Sequence, residues 1–214
     1  ATIGVSKRDR RTLADGIKDL MDKGASVSKR GLLLVAPGMY APPPKLPFVD
    51  IVSMAGARKT VIQADQKITP VSLYTPVSDS LLRDFTLRLN ITGPATGGAV
   101  IDARGAATNW AIEDVVVEVV NGGGAGKAHL LSLGGTTSGS IKGLMSGDIA
   151  RAEQIAMGDK YGGVSNPWTG ALEMLDCRLD TPAGVWGLAL FDAATYGTIL
   201  WENVRVIQDG SGAP

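Results

Sequence analysis

Polar and apolar residues alternate along most of this chain, and the alternation comes back in blocks. Leu82-Arg83-Asp84-Phe85-Thr86, Ile112-Glu113-Asp114-Val115-Val116, Met174-Leu175-Asp176-Cys177-Arg178 and Trp201-Glu202-Asn203-Val204-Arg205 share one pattern, with a weaker copy at Ile141-Lys142-Gly143-Leu144-Met145. The third position of the phrase falls at residues 84, 114, 143, 176 and 203, in steps of 30, 29, 33 and 27. A period of that length marks a repeat architecture. Each copy continues in alternation, through Leu87 and Leu89, Val117 and Val119, Leu179 and Val206, so the unit contains a strand rather than a helix. A second apolar run precedes each of the later phrases: Ala99-Val100-Ile101, Leu130-Leu131-Ser132-Leu133, Ile155-Ala156-Met157 and Leu188-Ala189-Leu190. The period therefore holds at least two strands joined by glycine-rich corners. The expected fold is all-β, a stack of about six or seven strand coils.

In such a stack equivalent positions form columns about 4.8 Å apart, one strand spacing per coil. Phe85, Val115, Leu144, Cys177 and Val204 are then an interior ladder, as are Leu87, Val117, Ser146, Leu179 and Val206. The positions between them face outward: Arg83, Glu113, Lys142, Leu175 and Glu202 in one column, Thr86, Val116, Met145, Arg178 and Arg205 in another. Asp or Asn at the third position is expected to bond turn amides at a corner.

The first third of the chain is different. Residues 1–11 form a polar arm ending in Lys7-Arg8-Asp9-Arg10-Arg11. Thr12-Leu13-Ala14-Asp15 reads as a capping box, followed by Leu13, Ile17, Leu20 and Met21 on one helical face, with Gly24 as a stop. The spacing predicts a helix over 12–23 covering the start of the stack. Short strands follow at 31–36, 49–54 and 60–64, interrupted by Pro37-Gly38 and a proline-rich loop over 41–48. The domain expected is 12–208, with a flexible tail over 209–214.

Composition narrows the function classes. Lysine plus arginine equals aspartate plus glutamate at 21 each, so no net field draws nucleic acid or an anionic membrane surface. No apolar run approaches the roughly 20 residues that span a bilayer, and no basic-then-apolar leader opens the chain. One cysteine, Cys177, rules out an internal disulfide.

The opening order resembles that of the pectin-lyase-like family of right-handed parallel β-helices. The likeness is carried by the amphipathic helix, then Leu33-Leu34-Val35-Ala36-Pro37-Gly38-Met39-Tyr40, then Ile51-Val52-Ser53-Met54-Ala55-Gly56 and Thr60-Val61-Ile62. It implies a right-handed parallel β-helix and says little of activity, because that fold serves polysaccharide lyases, pectin esterases, glycoside hydrolases and the trimeric spikes of bacteriophage particles.

A lyase of that kind would show acidic calcium ligands beside an arginine or lysine base, and calcium takes six to eight oxygens. The nearest set is Arg178, Asp180, Glu202 and Arg205, outward on the last two coils, which reads more simply as cross-strand ion pairs. An inverting hydrolase needs two carboxylates some 6.5–9.5 Å apart, and Asp102, Asp192 or Asp180 with Glu202 have no spacing that pairs them. His129 is the one histidine, beside Leu130 and Leu131 at a strand start, and reads as a surface or satisfied residue rather than a base. The run Gly122 to Lys127 lacks the Lys-Ser/Thr pair of a phosphate loop and reads as a floppy corner. Trp168, in an insertion with Tyr161, is the tryptophan expected to be exposed for stacking on a sugar, whereas Trp186 is a weaker candidate and Trp201 occupies a packing position.

These observations imply a protein that acts by binding, with no catalytic residue, cofactor or metal: a structural or adhesive virion component such as a decoration, fibre or spike protein. Its expected partners are itself as a homotrimer, other virion proteins and a cell-surface polysaccharide, with Val116 and Met145 as a subunit contact. The alternative is a secreted lyase or hydrolase acting on an acidic polysaccharide.

Overall fold

The computed structural model describes residues 12–45, 48–152, 155–158, 166–181, 188–190 and 195–208. The arm and tail expected at 1–11 and 209–214 lie outside them, as do Tyr161, Trp186 and Asp192. The chain is an all-β parallel solenoid with one short helix at its N-terminal end.

Each full period folds into three strands, and each strand joins a different face. The first face runs β1 (Gly31–Val35), β3 (Val49–Ser53), β6 (Leu81–Arg83), β9 (Thr108–Glu113), β12 (Ser138–Lys142), β15 (Ala171–Leu175) and β18 (Thr198–Glu202). The second runs β2 (Gly38–Tyr40), β4 (Thr60–Gln66), β7 (Thr86–Ile91), β10 (Val116–Asn121), β13 (Met145–Ser146), β16 (Arg178–Thr181) and β19 (Arg205–Gln208). The third holds β5 (Ser72–Tyr74), β8 (Gly98–Gly105), β11 (Ala128–Gly135), β14 (Ile155–Met157) and β17 (Leu188–Leu190). Every pairing within the three faces is parallel. The expected six or seven coils become about five complete turns, because the third face begins one coil later than the others and its last described strand lies one coil before theirs.

The columns read from the alternation are the columns of the structure, except that Thr86, expected to face outward, is buried and Ser146, expected inside, is half-buried. Glu113 lies beside Arg83 and Lys142, and Leu175 beside Lys142 and Glu202. Val116 lies between Thr86 and Met145, and Arg178 between Met145 and Arg205. Inside, Phe85, Val115, Leu144 and Cys177 are buried, as are Leu87, Val117 and Leu179. Val204 is half-buried and Val206 exposed, because both sit on the last described coil with a neighbour on one side only.

The repeated third position does other work than expected. Asp84, Asp114, Gly143, Asp176 and Asn203 all have positive φ, between 51° and 66°. That left-handed conformation is what turns the first face into the second, and Gly, Asn and Asp tolerate it best. Their own amides stay in the ladder, Asp114 N–H donating to Lys142 O at 2.8 Å and Gly143 N–H to Leu175 O at 3.0 Å. Among the described residues none of these carboxylates accepts from a turn amide. Asp176 instead accepts from Asn203 Nδ2 at 2.8 Å.

Other corners are tighter than the sequence suggests. The run from Gly122 is not floppy: Gly124 and Gly126 are buried, with amides donating to Ile91 O and Gly93 O, both at 2.9 Å. A Cβ on Gly126 would sit 2.0 Å from Ala95 O, so glycine there is a packing requirement. Beside this corner Gln66 is wholly buried and fully bonded. Its Nε2 donates to Ala95 O and Lys127 O, and its Oε1 accepts from Val71 N–H.

The N-terminal helix is α1 (Leu13–Asp22). Thr12 caps it, Oγ1 accepting from Asp15 N–H at 3.1 Å, and Gly24 ends it at φ 85°. Leu13, Ile17 and Leu20 are buried against β1, and Gly16 admits Leu33 where a Cβ would stand 2.7 Å from its methyl.

Candidate functional site

Alternation on the first face sets the site. A bulge falls where β12 pairs β9: Ser138 lies beside Thr108, but Gly139 lies beside Trp110, which leaves Asn109 unmatched. Asn109 takes φ 57° and donates from Nδ2 to Asp79 Oδ1 at 2.8 Å. Trp110 packs over Gly139, where a Cβ would meet its ring at 2.2 Å. The outer surface is left with small residues. Ser138, Gly139, Ser140 and Ala171 floor a groove of about 500 Å³, bordered by Asn109, Glu173 and Leu200. Register carries the column Ala111, Ser140, Glu173, Leu200 along it.

The groove offers an amide, hydroxyls and one carboxylate among its lining residues, on a floor that an extended polar chain could approach closely. Nothing in the sequence reading picked these residues out. The signal was there: at the outward positions of two successive repeats stand Ser and Ala rather than the long side chains found elsewhere.

The charged set falls elsewhere. Arg178 and Asp180 pair within one strand, Nε to Oδ1 at 3.2 Å, rather than across coils. Arg178 stands beside Arg205 in register, and Asp180 beside Ile207, so the expected cross-coil pairs between the last two coils do not form. Glu202 belongs to the first face, outside this cluster. Cross-coil pairs occur higher in the stack instead, Arg83 with Glu113 at 3.4 Å and Arg88 with Glu118 at 2.5 Å. Trp168 is a clear reversal. It is 1% exposed, its Nε1 donates to Thr137 O at 3.0 Å, and its ring lies over Gly197. Thr137 also accepts from Trp110 Nε1 at 2.9 Å, so one threonine joins two buried indoles at this corner. Trp168 is therefore interior packing, with its polar edge satisfied.

On the second face Met145 is 42% exposed and Val116 half-buried beside it. Their column continues upward through Thr86 and Val61 to Met39, which is 74% exposed. Thr86 interrupts it, buried under the turn Ala57–Lys59 with Oγ1 donating to Ala57 O at 2.8 Å.

Three titratable groups are shifted by their surroundings. Burial works to raise the Asp102 carboxyl, but bonds from Arg104 and Ser72 outweigh it and leave the group below the usual aspartate range. Burial pushes the Cys177 thiol up, and Sγ points its proton at Leu175 O and Ile141 O. Burial also pushes the Tyr74 phenol up to about 12, against a hydrogen bond with Ser80. His129 is half-buried on β11 beside Ala99. Among the described residues no three His, Cys, Asp or Glu side chains converge, and no helix is long and apolar enough to cross a membrane. Compared with models of known protein families, with curated proteins and with solved structures, the chain matches none.

Proposed function

We propose that this protein is a structural or adhesive component of a bacteriophage-type virion, a decoration, fibre or spike protein that works as a homotrimer by binding rather than catalysis. The observation that carries the reading is the outward column of the second face, on which Met145 and Met39 are exposed. Burying such side chains against a neighbouring copy gains roughly 25 cal/mol per Å² of apolar surface. Cyclic symmetry closes the contact without growing a fibre. The likeness of the opening segment to pectin-lyase-like β-helices, a family that includes trimeric phage spikes, supports the same reading. On this view the protein resides in the virion, beside other virion proteins. The first-face groove is where it would hold an extended cell-surface polysaccharide, since its lining presents Asn109, Ser140 and Glu173.

The alternative is a secreted lyase or hydrolase working on an acidic polysaccharide in that groove. One observation favours it, the Glu173 carboxylate in the lining of the groove. Against it, Glu173 is the one acid in the lining, whereas hydrolysis asks for two. Light scattering on the pure protein at micromolar concentration decides the main reading: a three-chain mass is expected, reduced to one chain by Val116→Arg with Met145→Glu. A single-chain mass for the unaltered protein overturns it. Release of unsaturated or reducing ends from pectate or alginate would replace it with the alternative.

A further inference from the structure

The corner that follows β10 carries the one asparagine of the chain that precedes a glycine, Asn121-Gly122. That pair has a chemistry of its own. Glycine has no side chain to obstruct its nitrogen, so Gly122 N can attack Asn121 Cγ, expel ammonia and close a five-membered imide. Water then opens the ring at either carbonyl, giving aspartate or, with the main chain rerouted through the side-chain carbons, isoaspartate. Water enters and ammonia leaves, with no oxidant or cofactor. The fold opposes the first step. Asn121 is exposed, but its backbone lies in the ladder beside Ile91. Gly122 N–H, whose proton the attack must shed, donates to Ile91 O at 3.0 Å. A parallel strand holds ψ at about 115°, and closing the ring requires a rotation about the Asn121 Cα–C bond that pulls this amide out of the ladder. Gly123 N–H donates to Asn121 Oδ1 at 3.0 Å, which fixes the side chain as well. Further along, Gly124 N–H donates to the same Ile91 O and Gly126 N–H to Gly93 O, both at 2.9 Å. The segment has no slack against the preceding coil: a Cβ would stand 2.8 Å from Thr92 Cγ2 at Gly122, 2.3 Å from Gly93 N at Gly124 and 2.0 Å from Ala95 O at Gly126.

We infer that Asn121 is a modification site kept closed by the fold: it loses its amide when the corner lifts from Ile91, and isoaspartate, once formed, keeps the corner from seating again. Isoaspartate lengthens the main chain by one carbon–carbon bond, about 1.5 Å. The glycines that follow already touch the preceding coil, so that length has nowhere to go. Aspartate leaves the main chain unchanged and keeps an oxygen to accept from Gly123 N–H. The virion reading is tested by an oligomer mass and this site by a rate, so either can fail alone.

The test ages the full chain at mildly alkaline pH, folded and in urea, and follows the Asn121 peptide by mass spectrometry, with isoaspartate separated from aspartate by chromatography. Conversion in the folded chain should be at least tenfold slower than in urea, because it proceeds through the open corner alone. Gly126→Ala, which drives a methyl group against Ala95 O, should bring the folded rate toward the urea rate. If circular dichroism shows that this variant does not fold, Gly123→Ala takes its place, straining a φ of 94° with open space around it. Isoaspartyl chains, purified and refolded, should unfold at lower urea than Asn121→Asp, which should keep the parent's midpoint. Equal rates folded and in urea, the parent's slow rate in a folded corner variant, or a parental midpoint for the isoaspartyl chains would each overturn the inference.

Discussion

The two ends of the stack are built from the same alternating pattern and end up in different states. At the N-terminal end α1 lies on β1, and its Ile17 and Leu20 are 1% and 4% exposed. At the last described coil Val206 continues the column of Leu87, Val117 and Leu179, which are at most 2% exposed, yet it is itself 38% exposed. Ile199, Trp201 and Val204 of the same coil are half-buried, and Leu200 and Ile207 stand open at 58% and 42%. In a solenoid each coil contacts only its neighbours, so a core position is made by the coil before it and the coil after it. Direction is written in the period-two pattern of a strand. Burial depends on what is stacked above and below.

The largest expected difference follows from this. Ile17→Ala removes a filled position beneath the cap and should cost about 2–5 kcal/mol, the usual range for emptying a core site. Val206→Ala removes a side chain already more than a third exposed and should cost under about 1 kcal/mol. Urea unfolding of both variants measures the pair. Equal losses would mean that the last coil is covered in solution, and the contrast between the ends would fall.

This contrast also explains which parts of the molecule could be read from its residues. The five copies of the phrase located five strands of the first face and their continuation onto the second, because inward and outward positions must alternate for each coil to stack on the last. The apolar runs at 99–101, 130–133, 155–157 and 188–190 became the strands of the third face. The capping box and Gly24 placed the helix to within a residue at each end. What was not legible depends on three-dimensional neighbours. Trp168 sits in a polar insertion, and only the corner that brings it to Thr137 and Gly197 shows that it is interior. The Asp and Asn of the third position read as side chains that bond turn amides, yet what unites them with Gly143 is a backbone angle. The first-face groove is a dent left by small residues over a bulge, and a bulge between Ser138 and Gly139 leaves no mark in the pattern. The ion pairs failed for a simpler reason: the register puts Arg178 beside Arg205, so its acid had to come from its own strand.

A kinetic measurement sharpens the comparison further. If the stack opens from its less covered end, amides of β18 and β19 should exchange with solvent well before those of β7 and β10. Cys177 marks how far such opening reaches, since it lies one coil above Val204 and is 2% exposed. Its thiol, raised by burial, should react with thiol reagents roughly a hundredfold more slowly than in the unfolded chain, which corresponds to an opening cost of about 3 kcal/mol. Labelling at the rate of a free thiol would show that the last two coils open together.

The smallest expected effect compares one ion pair from each half of the stack. Asp102, on the second of the third-face strands, has a side chain 14% exposed and joins β5 to β8 through Ser72. Asp180, near the C-terminal end, pairs with an Arg178 side chain that is 60% exposed. An exposed pair is worth about 0–1 kcal/mol, so Asp180→Asn should shift stability by no more than about 0.5 kcal/mol. Asp102 should matter more, and with a defined sign. Its carboxyl in the folded chain lies below the usual aspartate range, so the folded state favours the ionised form. The stability it contributes is fully present above the unfolded pKa of about 3.9 and is lost as pH falls through the lower folded value. Urea midpoints measured from pH 5 downward should therefore fall more steeply for the parent protein than for Asp102→Asn. Parallel slopes for the parent and Asp102→Asn would remove the distinction, leaving the coverage of the ends as the one difference between the halves.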